Sequence, residues 1–245
     1  MLILLSPSKT LDLTTPIKTT TFSQPKLLKY SKELLKEFKQ YSQKDLQKIM
    51  KVSANIANTT HQRFQDFSTP FTTKNSRQSL FTFTGEVFKN IDSKNYTESQ
   101  LTFVQTHLRI LSGFYGALKP LDLIQPYRLE MALTTPFWKG KITEYLQKDL
   151  KENHHNIIVD LASKEYTKPI QFKNLNAETF TINFKEKKNN EYKTVAIFAK
   201  KARGSMVDYI IKNKITDPQE TKKFSKDGYK FNKDLSAENQ FTFIR

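Results

Sequence analysis

Leu2-Ile-Leu-Leu5 is an unbroken apolar run halted by Ser6-Pro7-Ser8, and Asn156-Ile-Ile-Val-Asp-Leu161 is a second such run, with Ala162-Ser-Lys-Glu-Tyr166 placed to start a helix beyond its end. Apolar runs this short read as strands buried on both faces, and the proline after the first cannot continue a ladder. Elsewhere the apolar period changes to that of a helix. Over 26–38, Leu27, Leu28, Leu34, Leu35 and Phe38 recur at helical spacing among lysines and glutamates. Ser42 with Asp45 resembles a capping box that opens a second helix through Met50. Val52-Ser53 breaks that helix, and a third is expected from Ala54 to about Phe67, ended by Ser68-Thr-Pro70.

Further on, residues 78–83 fit helix or strand. Residues 98–107 fit a helix, and 108–116 a strand entering a glycine turn. Two prolines frame a loop over 119–126, and 127–131 reads as a short strand with Arg128 and Glu130 on one side. A helix is expected over 138–150. Residues 180–184 and 192–199 alternate like paired strands across a polar turn at 187–190, and helix resumes over 200–213. Asp227-Gly228 closes a turn, and 229–231 with 240–244 supply terminal strands. Strands and helices interleave without repeat, linker or composition break. The expectation is one α+β domain over 1–245, a central mixed sheet flanked by helices, with a helical hairpin at about 42–67.

With 37% hydrophobic and 12% aromatic residues the chain is neither disordered nor fibrous. No stretch is long and apolar enough for a membrane span, and the first apolar run lacks a basic leader, so no membrane partner is expected. The absence of cysteine removes thiolate catalysis, iron–sulfur clusters and thiolate zinc sites, and suits a cytoplasmic location. A net charge of +16 favours an anionic partner. Most of that charge is lysine, which can be a solvated surface. The six arginines carry more information, because a guanidinium grips phosphate bidentately.

Polar residues collect beside the strand ends in four segments, 6–12, 111–122, 160–166 and 199–204. Ser6, Lys9, Asp12, Glu130 and Asp160 are candidates for acid, base or nucleophile. Lys9, Arg109, Arg128, Lys200, Lys201 and Arg203 are candidate phosphate ligands, joined by Lys48, Lys51 and Arg63 of the helical hairpin. The 200–203 stretch would lie at a strand-to-helix junction, where free amides and the helix dipole favour anions. Phosphate-loop, dinucleotide, nucleophile-elbow and zincin motifs are all missing, so no cofactor is expected. The adjacent His154 and His155 point apart, and no metal site is expected.

Four strings carry a resemblance: Leu2-Ile-Leu-Leu-Ser-Pro-Ser-Lys-Thr-Leu-Asp12, the long run from Leu108-Arg-Ile-Leu-Ser-Gly-Phe-Tyr-Gly116 to Tyr127-Arg-Leu-Glu-Met131, Asp160-Leu-Ala-Ser-Lys-Glu-Tyr166 and Phe198-Ala-Lys-Lys-Ala-Arg-Gly204. Together they resemble the bacterial peroxide stress protein YaaA family nearly end to end. The resemblance implies a cytosolic protein that helps withstand hydrogen peroxide and limits iron-dependent damage. It also implies an α+β fold with a basic cleft, a helix-hairpin-helix-like element over 42–67, and binding to duplex and branched DNA, four-way junctions included. The turn here, Val52-Ser-Ala-Asn55, lacks the glycine usual in that element. Two functions follow as expectations: DNA binding through the cleft, or an enzyme acting on a nucleotide or nucleic acid with the cleft carboxylates.

Overall fold

In the computed structural model, which describes residues 1–189 and 191–245, the first apolar run is β1 (Leu2–Leu5), fully buried. Three helices follow, α1 (Leu28–Phe38), α2 (Gln43–Met50) and α3 (Ala54–Asp66). Ser42 and Asp45 form a reciprocal capping box on α2, and Ser53 caps α3. Between them Lys51 adopts a left-handed φ of 52°, supplying the reversal that glycine would otherwise make. The ambiguous 78–83 region splits into the two-residue β2 (Arg77–Gln78) and the single-turn α4 (Ser79–Thr82). Then come α5 (Glu98–His107), β3 (Leu108–Ser112) and β4 (Gly116–Leu118). Inside the expected loop, β5 (Leu123–Ile124) pairs with β2.

Residues 127–131 form no strand. They are extended without a ladder partner and end where Glu130 precedes α6 (Met131–Trp138), a helix that Pro136 disguises in the sequence. The expected 138–150 helix is α7 (Lys141–Glu152), separated from α6 by Gly140 at φ 83°. After β6 (Ile157–Asp160) and the short α8 (Lys164–Thr167) come β7 (Glu178–Lys188) and β8 (Glu191–Lys193). Of the turn expected at 187–190, Asn190 lies outside the described residues. The second strand of this pair is shorter than its alternation suggests, because α9 (Ala196–Lys212) begins at Ala196 and buries Ala199, Ala202 and Met206 at helical spacing. The hairpin of β9 (Lys230–Ala237) and β10 (Gln240–Ile244) completes the sheet.

The strands run in the order β4-β3-β1-β6-β7-β10-β9, with β8 on β7. The neighbours from β3 through β1, β6 and β7 to β10 are parallel, while β4 and β9 pair antiparallel with the strands beside them. A mixed sheet flanked by helices in one α+β domain is therefore the architecture. Parallel strands buried on both faces are why the first and sixth strands read as continuous apolar runs. From β1 the chain goes first to β3 on one side and later to β6 on the other. Open sheets leave a crevice at the carboxyl ends of strands where the order reverses in this way.

Candidate functional site

Just past its carboxyl end β1 stops at Ser6, and β6 ends at Asp160. A Ser163 N–H donates to Ser6 Oγ at 2.8 Å and ties the two loops together. A cleft of about 620 Å³ opens there, walled by Pro7, Val87 and Tyr166 and edged by Lys9, Lys89, Lys200 and Arg203. Two glycines make the walls fit. A Cβ on Gly85 would fall on the Ser8 hydroxyl, and one on Gly204 would fall on the Val87 carbonyl oxygen. The second contact lets α9 lie against the 84–90 segment and sets Arg203 at the cleft. Gly204→Ala should cost about 1–3 kcal/mol, as overpacking does, and urea unfolding measures it. An unchanged midpoint would show that α9 and this segment separate freely.

Arg203 and Lys200, three residues apart, share one face of α9. The placement differs from the sequence expectation. Residues 200–203 lie within the helix rather than at its start, so free amides play no part and the side chains supply the charge. Lys201 turns toward Glu86, at 3.9 Å. Arg203 is half-buried and its Nε has no hydrogen-bond partner among the described residues. Burial disfavours its charge, and Asp160 supports it. Burial in turn pushes the Asp160 carboxyl up to about 6, against the pull of the Ala162 N–H, which donates at 2.9 Å, and of Arg203.

A second cluster adjoins through Lys9. Lys9 Nζ lies 3.1 Å from Glu130 Oε1, and Arg128 Nε lies 3.4 Å from the same oxygen. Glu130 Oε2 is buried without a hydrogen-bond partner among the described residues. The same-side placement of Arg128 and Glu130 thus holds, with Leu129 buried between them. Arg63 of α3 approaches closely enough that burial, and then the Arg128 charge, lower its pKa. Lys9 and Arg203 thus edge the cleft itself, while Arg128, sharing Glu130 with Lys9, and Arg63, near Arg128, form the cluster beside it.

Four candidates lie elsewhere. Arg109 is completely buried and paired with Asp149 at 2.7 Å, so it reaches no external phosphate. Both faces of β3 are covered, so either side of the strand would bury it. Asp12 accepts from the N–H groups of Thr14 and Thr15, both at 2.9 Å. Bonds to Thr15 and Thr14 hold its pKa far below the usual carboxylate range, and the residue closes a turn. Lys48 and Lys51 are exposed on α2 and its end, outside the cleft lining.

Sequence reasoning missed Lys89 and gave no role to Ser163 and Tyr166. The Asp160 string contains the last two, but nothing local signals the wall formed by 84–89. The His107 and His155 rings meet at a tilt with centroids 4.6 Å apart beside Met1, at the other end of β1. No group of three or more His, Asp or Glu that could hold a metal occurs among the described residues.

A family model described as peroxide stress protein YaaA matches residues 1–235. The chain belongs to this family. It is 43% identical to a UPF0246 protein of Saccharophagus degradans over an alignment covering 100% of this chain and 99% of that one. A UPF0246 protein of Aliivibrio fischeri is also 43% identical, with 100% and 98% covered. One from Acaryochloris marina is 44% identical, with both chains covered in full. The family match places this member among peroxide stress proteins. Among the described residues no helix is long and apolar enough to cross a membrane.

Proposed function

We propose that this peroxide stress protein binds DNA, duplex and branched, through a basic cleft at the carboxyl ends of β1 and β6, and acts in the cytoplasm. The observation that carries the reading is the gathering of Lys9, Lys200 and Arg203 at that crevice, with Arg128 adjoining through Glu130 and Arg63 near Arg128, and with the buried Nε of Arg203 lacking a hydrogen-bond partner among the described residues. A guanidinium with a buried N–H still to satisfy suits phosphate oxygens. Lys48 and Lys51, beside the left-handed turn of the α2–α3 pair, offer a further, helix-hairpin-helix-like grip on the backbone. Contacts of this kind carry no base information. On this reading the protein helps limit iron-dependent damage by acting on the DNA that such damage strikes.

Fluorescence anisotropy with labelled duplex, single-stranded and four-way-junction DNA across a salt series tests the reading. Affinity should fall steeply with salt, and the Arg128→Ala, Arg203→Ala double variant should weaken binding to all sequences alike and flatten the log–log salt slope by about 2. A change under about twofold in the double variant, with the slope intact, would remove the cleft as the DNA site. The half-buried carboxylates of Glu130 and Asp160 favour a second reading, an enzyme acting on a nucleotide or nucleic acid. Phosphate gripping alone has no use for a carboxyl held near 6 beside a guanidinium.

A further inference from the structure

The cleft has a shape that simple backbone binding does not need. Its volume of about 620 Å³ falls inside the range of about 300–1,000 Å³ typical of small-molecule pockets. A duplex cannot enter a concavity of that size, whereas one nucleotide can. Its lining is also divided by chemistry. Lys200 and Arg203 supply cations, Pro7, Val87 and Tyr166 form apolar wall, and the hydroxyls of Ser6 and Ser163 lie between the two loops. Of the carboxylates Glu86 and Glu165 on the lining, the first is engaged by Lys89 and Lys201. Arg203 Nε is buried without a hydrogen-bond partner among the described residues, a donor that desolvation leaves in need of an acceptor. Apolar wall beside a charged grip is the combination that a base with its phosphate calls for.

We infer that the cleft holds a single nucleotide unit, taken free or extruded from a DNA strand, with its phosphate on Arg203 and Lys200 and its base against Tyr166 and Pro7. The extruded form rests on the DNA-binding reading, and the free form does not. Extrusion costs a few kcal/mol of unstacking and is cheapest at mismatched or damaged positions, so a stress protein that captured such a unit would favour lesions over intact duplex.

Two measurements separate the sources. Isothermal titration with the four deoxynucleoside monophosphates tests the free form, with Arg203→Ala expected to weaken binding at least about tenfold, the scale of one charge-assisted hydrogen bond. Lys200 is exposed, so Lys200→Ala provides a second variant that folds, expected to weaken binding in the same direction. Permanganate reactivity of thymines in a bound duplex tests the extruded form, with new reactivity expected opposite the captured base and lost in Arg203→Ala. Binding of a monophosphate without any DNA affinity would support the pocket while the DNA reading fails. DNA binding in anisotropy with neither monophosphate binding nor new thymine reactivity would overturn the pocket and leave the DNA reading standing.

Discussion

Asp149→Ala should lower the unfolding free energy by roughly 3–5 kcal/mol, because it strands a buried guanidinium. Arg109 has no exposed surface, and its Nη2 donates to Asp149 Oδ1 at 2.7 Å. Its Nη1 donates to the carbonyls of Gln105 and Leu108, at 3.0 and 2.6 Å, and its Nε has no partner among the described residues. Asp149 is therefore the main compensation for the charge. Nearby Asp122 is a poor substitute, since burial raises its pKa and its oxygens already accept from the Ser23 hydroxyl and the Lys119 N–H. Lys119 at 3.7 Å from Asp149 would lose an anion too. In calorimetry the loss should appear as a Tm drop of about 2–4 °C per kcal/mol for a chain of this size. Replacing both partners, with Arg109→Met and Asp149→Leu, should instead be neutral or stabilising by about 1–4 kcal/mol. A single variant that melts with the wild type would show that the guanidinium finds another partner or reaches water.

Arg109 also shows where sequence reading stops. In the string Leu108-Arg-Ile-Leu-Ser112 every neighbour is apolar or small, and one charged residue in such a strand can face a ligand or a buried partner equally well. The partner sits on α7, 40 residues later, and no local pattern announces it. The strands β1 and β6 were legible because burial on both faces leaves an unbroken apolar run, and α2 because its cap is written within four residues. The end of β8 was not legible, since the apolar residues 195–199 satisfy a period of two and a period of 3.6 alike and the longer helix wins by burying Ala199, Ala202 and Met206. For the site, the segments that end parallel strands pointed to Ser6, Lys9 and Asp160, and the basic stretch 200–203, though it lies inside α9 rather than at a junction, pointed to Arg203. The 84–89 wall was invisible because its place depends on Gly85 and Gly204 tolerating close contact with Ser8 and Val87, a property of the packed molecule.

Asp160→Asn should stabilise the protein at pH 8 and change little at pH 4. Burial raises the Asp160 carboxyl from 3.8 to about 6 in the folded state, so between those values the native protein binds the proton more tightly than the unfolded chain does. The stability this group contributes is present at low pH and is lost as pH rises through about 6. At about 1.4 kcal/mol per pKa unit, the carboxylate lowers stability by up to about 3 kcal/mol above neutrality. Asparagine keeps an oxygen to accept from the Ala162 N–H, seen at 2.9 Å, and carries no charge at any pH. The gap between variant and wild type in urea unfolding should therefore open from about 0.5 kcal/mol at pH 4 to about 2–3 kcal/mol at pH 8, with its midpoint near pH 5, half-way between the unfolded and folded values. A constant gap across that range would mean that Asp160 titrates at its ordinary value and that solvent reaches it freely. Within the sheet, a carboxyl that weakens the fold at neutral pH has no structural purpose that asparagine would not serve. Its position beside a half-buried guanidinium at a strand-end cleft is where such a cost fits a site that binds or moves a proton.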